Sequence, residues 1–258
     1  MKALPLNRTP PMNKLLFFSG AGFSADSGIP TFRGNGLWDN HSVDDICNMK
    51  NFRRNYHQVH AFYDKLRMDI ADKTPHIGYD TAKHIAQRYN TEFFTSNIDH
   101  LHAQAHIPCT QVHGSVFDIV CLHCGTRSTI GPRTLHDAQQ KGLIHHTPTC
   151  TTPILKPGIT FYHESYDQYP GHAALRHSLK NLQPNDVVIV VGSSLQTIPI
   201  DYWLRHTRCH RYNINPDRDA GYGHSARYWQ NIRRNSIDGL QQLDGILQHY
   251  TPIGTNNP

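Results

Sequence analysis

The chain has 258 residues, enough to bury a full core as one large domain or as a large domain with a small insert. Hydrophobic residues make up 38% and charged residues 17%, an ordinary soluble balance, and no apolar run approaches the ~20 residues that span a bilayer, so no membrane partner is expected. The formal charge of +5 invites nucleic acid, but Arg205, Arg208, Arg211, Arg218, Arg227, Arg233 and Arg234 are separated by glutamines, histidines and tyrosines without a nucleic-acid motif, so they read as a solvated basic face.

In chain order, residues 1–13, with Pro5, Pro10 and Pro11, read as a flexible leader. Leu15–Ser19 is the first strand of a parallel sheet; its apolar run is too short for the 7–15 residues of a secretory core. It runs into Gly20-Ala21-Gly22-Phe23-Ser24-Ala25, which fits the G-x-G-x-x-A dinucleotide pattern. There the glycines are expected to bring backbone N–H groups to a pyrophosphate at a helix N-terminus. Small-residue turns between strand and helix are common, so the match is not specific alone. Residues 34–45 are loop-like, and 52–71 have helical spacing in Phe52, Tyr56, Val59, Phe62, Tyr63, Leu66 and Ile70. A second strand is predicted at 91–96, with Asn97 and Asp99 on the loop after it.

Residues 116–153 are richer in Cys, His, Thr and Gly than their flanks and carry the chain's one C-x-x-C, which reads as an insertion built around a metal. The predicted division is a main domain of 14–115 and 158–258, with a small lobe of 116–157 inserted. Residues 186–191 form a continuous β-branched strand of the kind a parallel sheet buries on both faces. Gly192, Ser193 and Ser194 follow at its carboxyl end, where open α/β sheets bind ligands. The next strand is predicted at 209–213. The fold class is therefore α/β, a Rossmann-like parallel sheet with a small zinc-binding insertion.

Among 20 histidines, His113 stands out by its place in Val-His-Gly, after the Asn-Ile-Asp loop and before the cysteine pair. An imidazole takes a proton near neutral pH, which makes it the general-base candidate. Asn97 and Asp99, two apart in an extended loop, can point into one pocket, or can bond their own backbone as a turn. Cys121 and Cys124 supply half of a tetrahedral zinc site, and Cys150 a third ligand. The fourth is open between His145, His146 and His123. The six cysteines lack the dense spacing of a secreted scaffold, which predicts a reducing cytoplasm.

Beyond the glycines, the run Ala25-Asp26-Ser27-Gly28-Ile29-Pro30-Thr31-Phe32-Arg33-Gly34 resembles the first signature of the sirtuins, NAD-dependent protein-lysine deacylases. Thr95-Ser96-Asn97-Ile98-Asp99 is similar to that family's T-Q-N-I-D, and Val112-His113-Gly114 to its catalytic H-G. Leu155-Lys156-Pro157 with Phe161-Tyr162-His163-Glu164 resembles L-R-P…F-G-E, Gly192-Ser193-Ser194-Leu195 resembles G-T-S-L, and Ile214-Asn215 the later I-N. The resemblance implies that NAD binds at Gly20, Ala21, Gly22, Ser24, Thr31, Phe32, Arg33, Trp38, Ser96, Asn97, Ile98, Asp99, Gly192, Ser193, Ser194 and Asn215. It implies that His113 deprotonates a ribose hydroxyl, that Asn97 orients the ribose and a water, and that Asp99 holds the carboxamide. The zinc, one per chain, is structural. The products are free lysine, nicotinamide and O-acyl-ADP-ribose, and the partners are acyl-lysine proteins that pair as a strand near 158–161 and 192–195, with Ile159 and Phe161 as substrate contacts. A monomer in the cytoplasm is expected, as for compact bacterial members.

Three departures stand out: Ser96 replaces Gln, His163 replaces Gly, and the 33–38 segment is one residue short. Ser96 and His163 motivate an alternative, NAD hydrolysis or ADP-ribosyl transfer; a non-catalytic NAD-sensing module is a second. Desuccinylating members carry Tyr-x-x-Arg, and here Tyr63 has Arg67 at plus four, on the same helical face, so a carboxylate reader is a further expectation.

Overall fold

Six parallel strands make the central sheet in a computed structural model that describes residues 11–12, 14–32, 41–166, 169–217 and 228–252. A two-residue strand β1 (Pro11–Met12) precedes it, and β2 (Leu15–Ser19), β3 (Thr91–Thr95) and β4 (Cys109–Gln111) are its first three members. The chain then leaves for a three-stranded sheet of β5 (Gly114–Cys121), β6 (Arg127–Thr129) and β7 (Leu155–Ile159), and returns with β8 (Val187–Val191), β9 (His210–Ile214) and β10 (Gln230–Ile232). A last strand, β11 (Thr251–Pro252), pairs with β1. Across the large sheet the order is β4-β3-β2-β8-β9-β10. It reverses between β2 and β8, and the loops leaving those two strands open the crevice where doubly wound sheets bind ligands.

Alternation explains why these strands read as unbroken apolar runs. Leu15, Phe17, Val187, Ile189 and Val191 face one core, while Leu16, Phe18, Val188 and Val190 face the other. The helices Ile77–Arg88 and Ser236–Leu247 cover the first face, and Pro170–Lys180 and Ile200–Trp203 contribute to the second. All five residues of β8 are fully buried, each stabilising the sheet by roughly 1.5–3 kcal/mol.

The smaller sheet is antiparallel, ordered β6-β5-β7. On one face Val116, Phe117 and Ile159 pack with Ile46, Phe52, Val59 and Tyr63, so this third core draws on two separate stretches of chain. The other face has only a small cluster around Ile119, Ile130 and Leu155. The single helix predicted at 52–71 is two, Met49–Phe52 and Tyr56–Asp69. Asn55 interrupts it by turning its amide onto the Asp45 carbonyl at 3.0 Å. Within the predicted loop, Val43–Ile46 is helical because the Ser42 hydroxyl caps the Asp45 N–H at 3.0 Å.

Candidate active site

At the sheet's switch point three glycines bring two loops into contact. The Gly22 N–H donates to the Gly192 carbonyl and the Gly20 N–H to the Val191 carbonyl, both at 2.9 Å. A Cβ on Gly20 would stand 2.7 Å from the Gly192 oxygen, and one on Gly192 2.3 Å from the Phe23 nitrogen. Gly192 also has φ +63°, which favours glycine. The N–H groups of Gly22 and Gly192 themselves are bonded within the protein. Their work is close packing, and the helix they open, Ala21–Ala25, is only five residues long.

Above this contact lies a cavity of about 550 Å³. Of the residues expected at NAD, Gly20, Ala21, Gly22, Ser24, Thr31, Phe32, Ser96, Asn97, Ile98, Asp99, Gly192, Ser193, Ser194 and Asn215 line it, as do His113 and Phe161. Arg33 and Trp38 lie outside the described residues, as does most of the predicted leader. Asn97 and Asp99 meet through one hydroxyl: Asn97 Nδ2 donates to Ser24 Oγ at 2.9 Å, and Ser24 Oγ to Asp99 Oδ2 at 2.7 Å. Asn97 Nδ2 also reaches the Gly20 carbonyl at 3.0 Å, tying the loop after β3 to the loop after β2. Burial pushes the Asp99 carboxyl up, against the pull of hydrogen bonds from the Leu101 N–H and Ser24.

Sequence reasoning missed Gln111, whose Nε2 holds the carbonyls of Asn97 at 3.2 Å and Asp99 at 2.7 Å. Its one signal was a polar residue ending a strand two places before His113. Ser96 departs from the family pattern with a visible result: its short hydroxyl turns onto the Ser19 carbonyl at 3.2 Å.

His113 sits where the large sheet hands over to β5. Burial lowers its pKa to about 4, against a hydrogen bond to the Ser96 backbone. Its Nε2 is buried and unpartnered, so Nδ1 makes the Ser96 bond. The imidazole is therefore neutral at physiological pH, with the Nε2 lone pair unspent at the cavity wall.

The acyl-reading expectations need correction. Arg67 has no exposed surface: Nη1 pairs with Asp64 at 2.6 Å and donates to the Arg133 carbonyl at 2.7 Å, while Nε donates to the Val116 carbonyl at 2.8 Å. It ties its helix to β5. Tyr63 is buried with its ring stacked on Phe161 at 5.8 Å and its hydroxyl against Cys47. Neither lines the cavity, and among its described lining residues there is no Lys or Arg. Ile159 is likewise 3% exposed, within β7.

The strand edge at 158–161 is also spent. The Gly158 carbonyl accepts from Arg127, the Thr160 N–H donates to His113, and the Phe161 N–H donates to Glu164. Beyond that edge, Tyr162 and His163 are exposed and line the cavity.

In the small lobe, Cys121, Cys124, Cys150 and His146 converge, their donor atoms all within 4.8 Å of one another. Cys121 and Cys150 sulfurs are 3.8 Å apart, and His146 Nδ1 lies 3.8 Å from Cys124 and 3.9 Å from Cys150. Zinc–sulfur bonds of ~2.3 Å in a tetrahedron place donors ~3.8 Å apart, so this Cys₃His set fits zinc. His146 is thus the open fourth donor; His123 faces Thr152 instead, and His145 gives its N–H to Ser128.

A model of the Sir2 family matches residues 20–199. An NAD-dependent protein deacylase of Leptospira interrogans is 35% identical over 187 residues, 70% of this chain and 71% of that protein. One from Campylobacter jejuni is 30% identical over 251 residues, 94% and 99% of the two. A mutant Sir2 homologue bound to ADP-ribose superposes with a TM-score of 0.75 at 20% identity over 91% of this chain and 92% of that one. A Sir2 homologue–NAD complex gives 0.73 at 21% over 91% and 89%, and these likenesses show the fold. With most of its length matched by the family model, this chain belongs to the Sir2 family.

Proposed function

We propose that the chain is an NAD-dependent protein-lysine deacylase, with His113 as general base, Asn97 and Asp99 as nicotinamide-side contacts, and a structural zinc held by Cys121, Cys124, His146 and Cys150. The observation that carries it is the convergence of an unspent His113 Nε2 with the Asn97–Ser24–Asp99 network at the switch-point cavity. NAD supplies an ADP-ribosyl group whose nicotinamide can leave. Asp99, bonded by Ser24 and the Leu101 N–H, is held to accept from a carboxamide. Asn97 is fixed by its own donors, and His113 Nε2 stands ready to take a hydroxyl proton. At the far end, Asn215 Nδ2 donates to the Ser193 carbonyl at 3.2 Å and its Oδ1 accepts the Asp217 N–H at 3.0 Å, fixing the adenosine side.

Protein substrates enter as acyl-lysine segments. No helix among the described residues is long and apolar enough to cross a membrane. None of the six cysteines is in a disulfide, which suits a reducing cytoplasm. The test incubates the protein with NAD and acetyl-lysine or succinyl-lysine peptide, reading nicotinamide and free-lysine peptide together by mass spectrometry. Equal appearance of both products is expected, with acetyl preferred. Nicotinamide without deacylated peptide would turn the reading to NAD hydrolysis or ADP-ribosyl transfer.

A further inference from the structure

Lys156 has no exposed surface, and nothing in the chemistry above uses it. Its ammonium pairs with Glu164 Oε2 at 3.1 Å and donates to the Pro157 carbonyl at 3.0 Å, Tyr169 Oη at 3.1 Å and the Ile159 carbonyl. It also lies 4.2 Å from the centre of the Phe161 ring. Glu164 is as closed, with a side chain 4% exposed, and its Oε2 accepts the Phe161 N–H at 2.9 Å. A buried ion pair is weak evidence for stability, so what it positions is the better question.

What it positions is the turn 161–164. The Glu164 N–H returns to the Phe161 carbonyl at 3.2 Å, and His163 between them has φ +63°, a left-handed backbone that a side chain with a Cβ adopts only when its surroundings hold it there. All four residues of the turn line the cavity. Tyr162 anchors it from behind, its N–H to the Cys47 carbonyl and its carbonyl to the Met49 N–H, both at 2.9 Å.

We propose that Lys156 is a positioning residue for the acyl-lysine peptide: through Glu164 it holds the 161–164 turn, the peptide-side wall of the cavity, in its constrained form. The inference rests on the deacylase reading above. Glu164 Oε1 is buried without a partner, because an ammonium is a point donor. A guanidinium at position 156 can engage both carboxylate oxygens, so Lys156→Arg preserves the function.

Titration gives the signature. Burial lowers the Lys156 pKa to about 8, against the pull of Glu164. The titratable neighbours are Cys47, with Tyr63 behind it, and Tyr169; burial pushes all three up, so they stay neutral at that pH. Arg127, the other nearby cation, pairs with Asp118 at 3.3 Å. Weakening of peptide binding above pH 8 is therefore the signature expected of Lys156.

The experiment measures binding of a fluorescent acetyl-lysine peptide, and steady-state constants, for the wild type, Lys156→Arg and the double variant Lys156→Met with Glu164→Gln, which strands no charge. The double variant is expected to weaken peptide binding and raise peptide KM about tenfold (~1.4 kcal/mol), leaving KM for NAD and kcat within about twofold. Lys156→Arg is expected within about twofold of wild type and free of the weakening above pH 8. Equal shifts for NAD and peptide, or a lower Tm with unchanged constants, overturn the proposal, as does an identical pH limb in Lys156→Arg. A wild type that binds no peptide overturns it too. One that binds peptide without deacylating it overturns the deacylase reading instead, and the binding arm still decides the role of Lys156.

Discussion

The two sides of the cavity are ordered by opposite means. At the switch point, backbone touches backbone: Gly20, Gly22 and Gly192 leave no room for a Cβ, and neutral hydrogen bonds through Ser24 join Asn97 to Asp99. That side is held from beneath by the fully buried β2 and β8. The small lobe has a thin apolar cluster on one face and leans on ionic and metal-type groups, the Lys156–Glu164 pair and the Cys₃His set. A shape-ordered site is damaged by added volume. A charge-ordered one is damaged by pH or loss of an ion.

The largest expected effect falls on the chemistry that the shape-ordered side presents. His113→Ala should lower turnover on the order of 10²–10⁴-fold, the range for a lost general base. NAD affinity and bound zinc should hold, as read by calorimetry and metal analysis. Full activity in this variant would remove His113 from the role given to it.

Next comes volume. Gly192→Ala puts a Cβ 2.3 Å from the Phe23 nitrogen and 2.4 Å from the Gly22 carbonyl carbon, against backbone that cannot swing aside, and at positive φ. A loss of roughly 3 kcal/mol or more in denaturant unfolding is expected. Gly125→Ala, also at positive φ but with nothing within 4 Å, isolates the backbone cost, ~1 kcal/mol. Equal losses would mean that close packing at the switch point is not the issue.

Metal removal probes the other side. Chelation, or Cys150→Ser, should strip amide-exchange protection from β5, β6 and β7 while β2, β3 and β8 keep theirs, since the donor set joins only the lobe's own segments. Simultaneous loss in both sheets would show one cooperative unit.

Acid bears on the shape-ordered side as well, through two imidazoles. Burial lowers His113 and His102 to about 4, below the unfolded value of ~6.5. The unfolded chain then binds more protons, so stability falls as pH drops from 6.5 towards 4, by on the order of 3 kcal/mol for each. Thermal unfolding across that window should show it, and His102→Gln should flatten part of the slope. Because His113 stays neutral, the acid limb of kcat/KM for the free enzyme should sit well below pH 6.5.

The large sheet was legible because its cause is local. The runs at 15–18 and 187–191 are apolar at every position, and burial on both faces demands that. Asn97, Asp99 and His113 stand out through their motif, and the fold brings them to one cavity; Cys121, Cys124 and Cys150 stand out through thiolate spacing, and their sulfurs converge. Gln111 was not, since its role is to hold two carbonyls across a turn, and no spacing announces that. His146 was one of three open donors, and only the fold of the 142–150 loop separates it from its neighbours. Tyr63 and Arg67 failed for a related reason. Helical spacing says that two side chains share a face, but not whether that face meets a cavity or a core.

That failure yields the smallest expected effect. Tyr63→Phe removes a hydroxyl whose partner is Cys47, in a ring stacked on Phe161 rather than lining the cavity. If a Tyr63–Arg67 pair read an acyl carboxylate, losing the phenol would penalise succinyl-lysine selectively, by the ~1.5–3 kcal/mol of a hydrogen bond to a charged group. The buried arrangement instead predicts an acetyl-to-succinyl ratio of kcat/KM within about twofold of wild type, ~0.4 kcal/mol. The contrast is sharp because Arg67 is already committed to Asp64, Val116 and Arg133. Swinging it towards a ligand would uncouple the helix Tyr56–Asp69 from β5 and take from Asp64 its paired cation, leaving it the Leu135 N–H. A selective succinyl defect in Tyr63→Phe would therefore demand a second arrangement of this helix, in which the small lobe reshapes itself around its substrate.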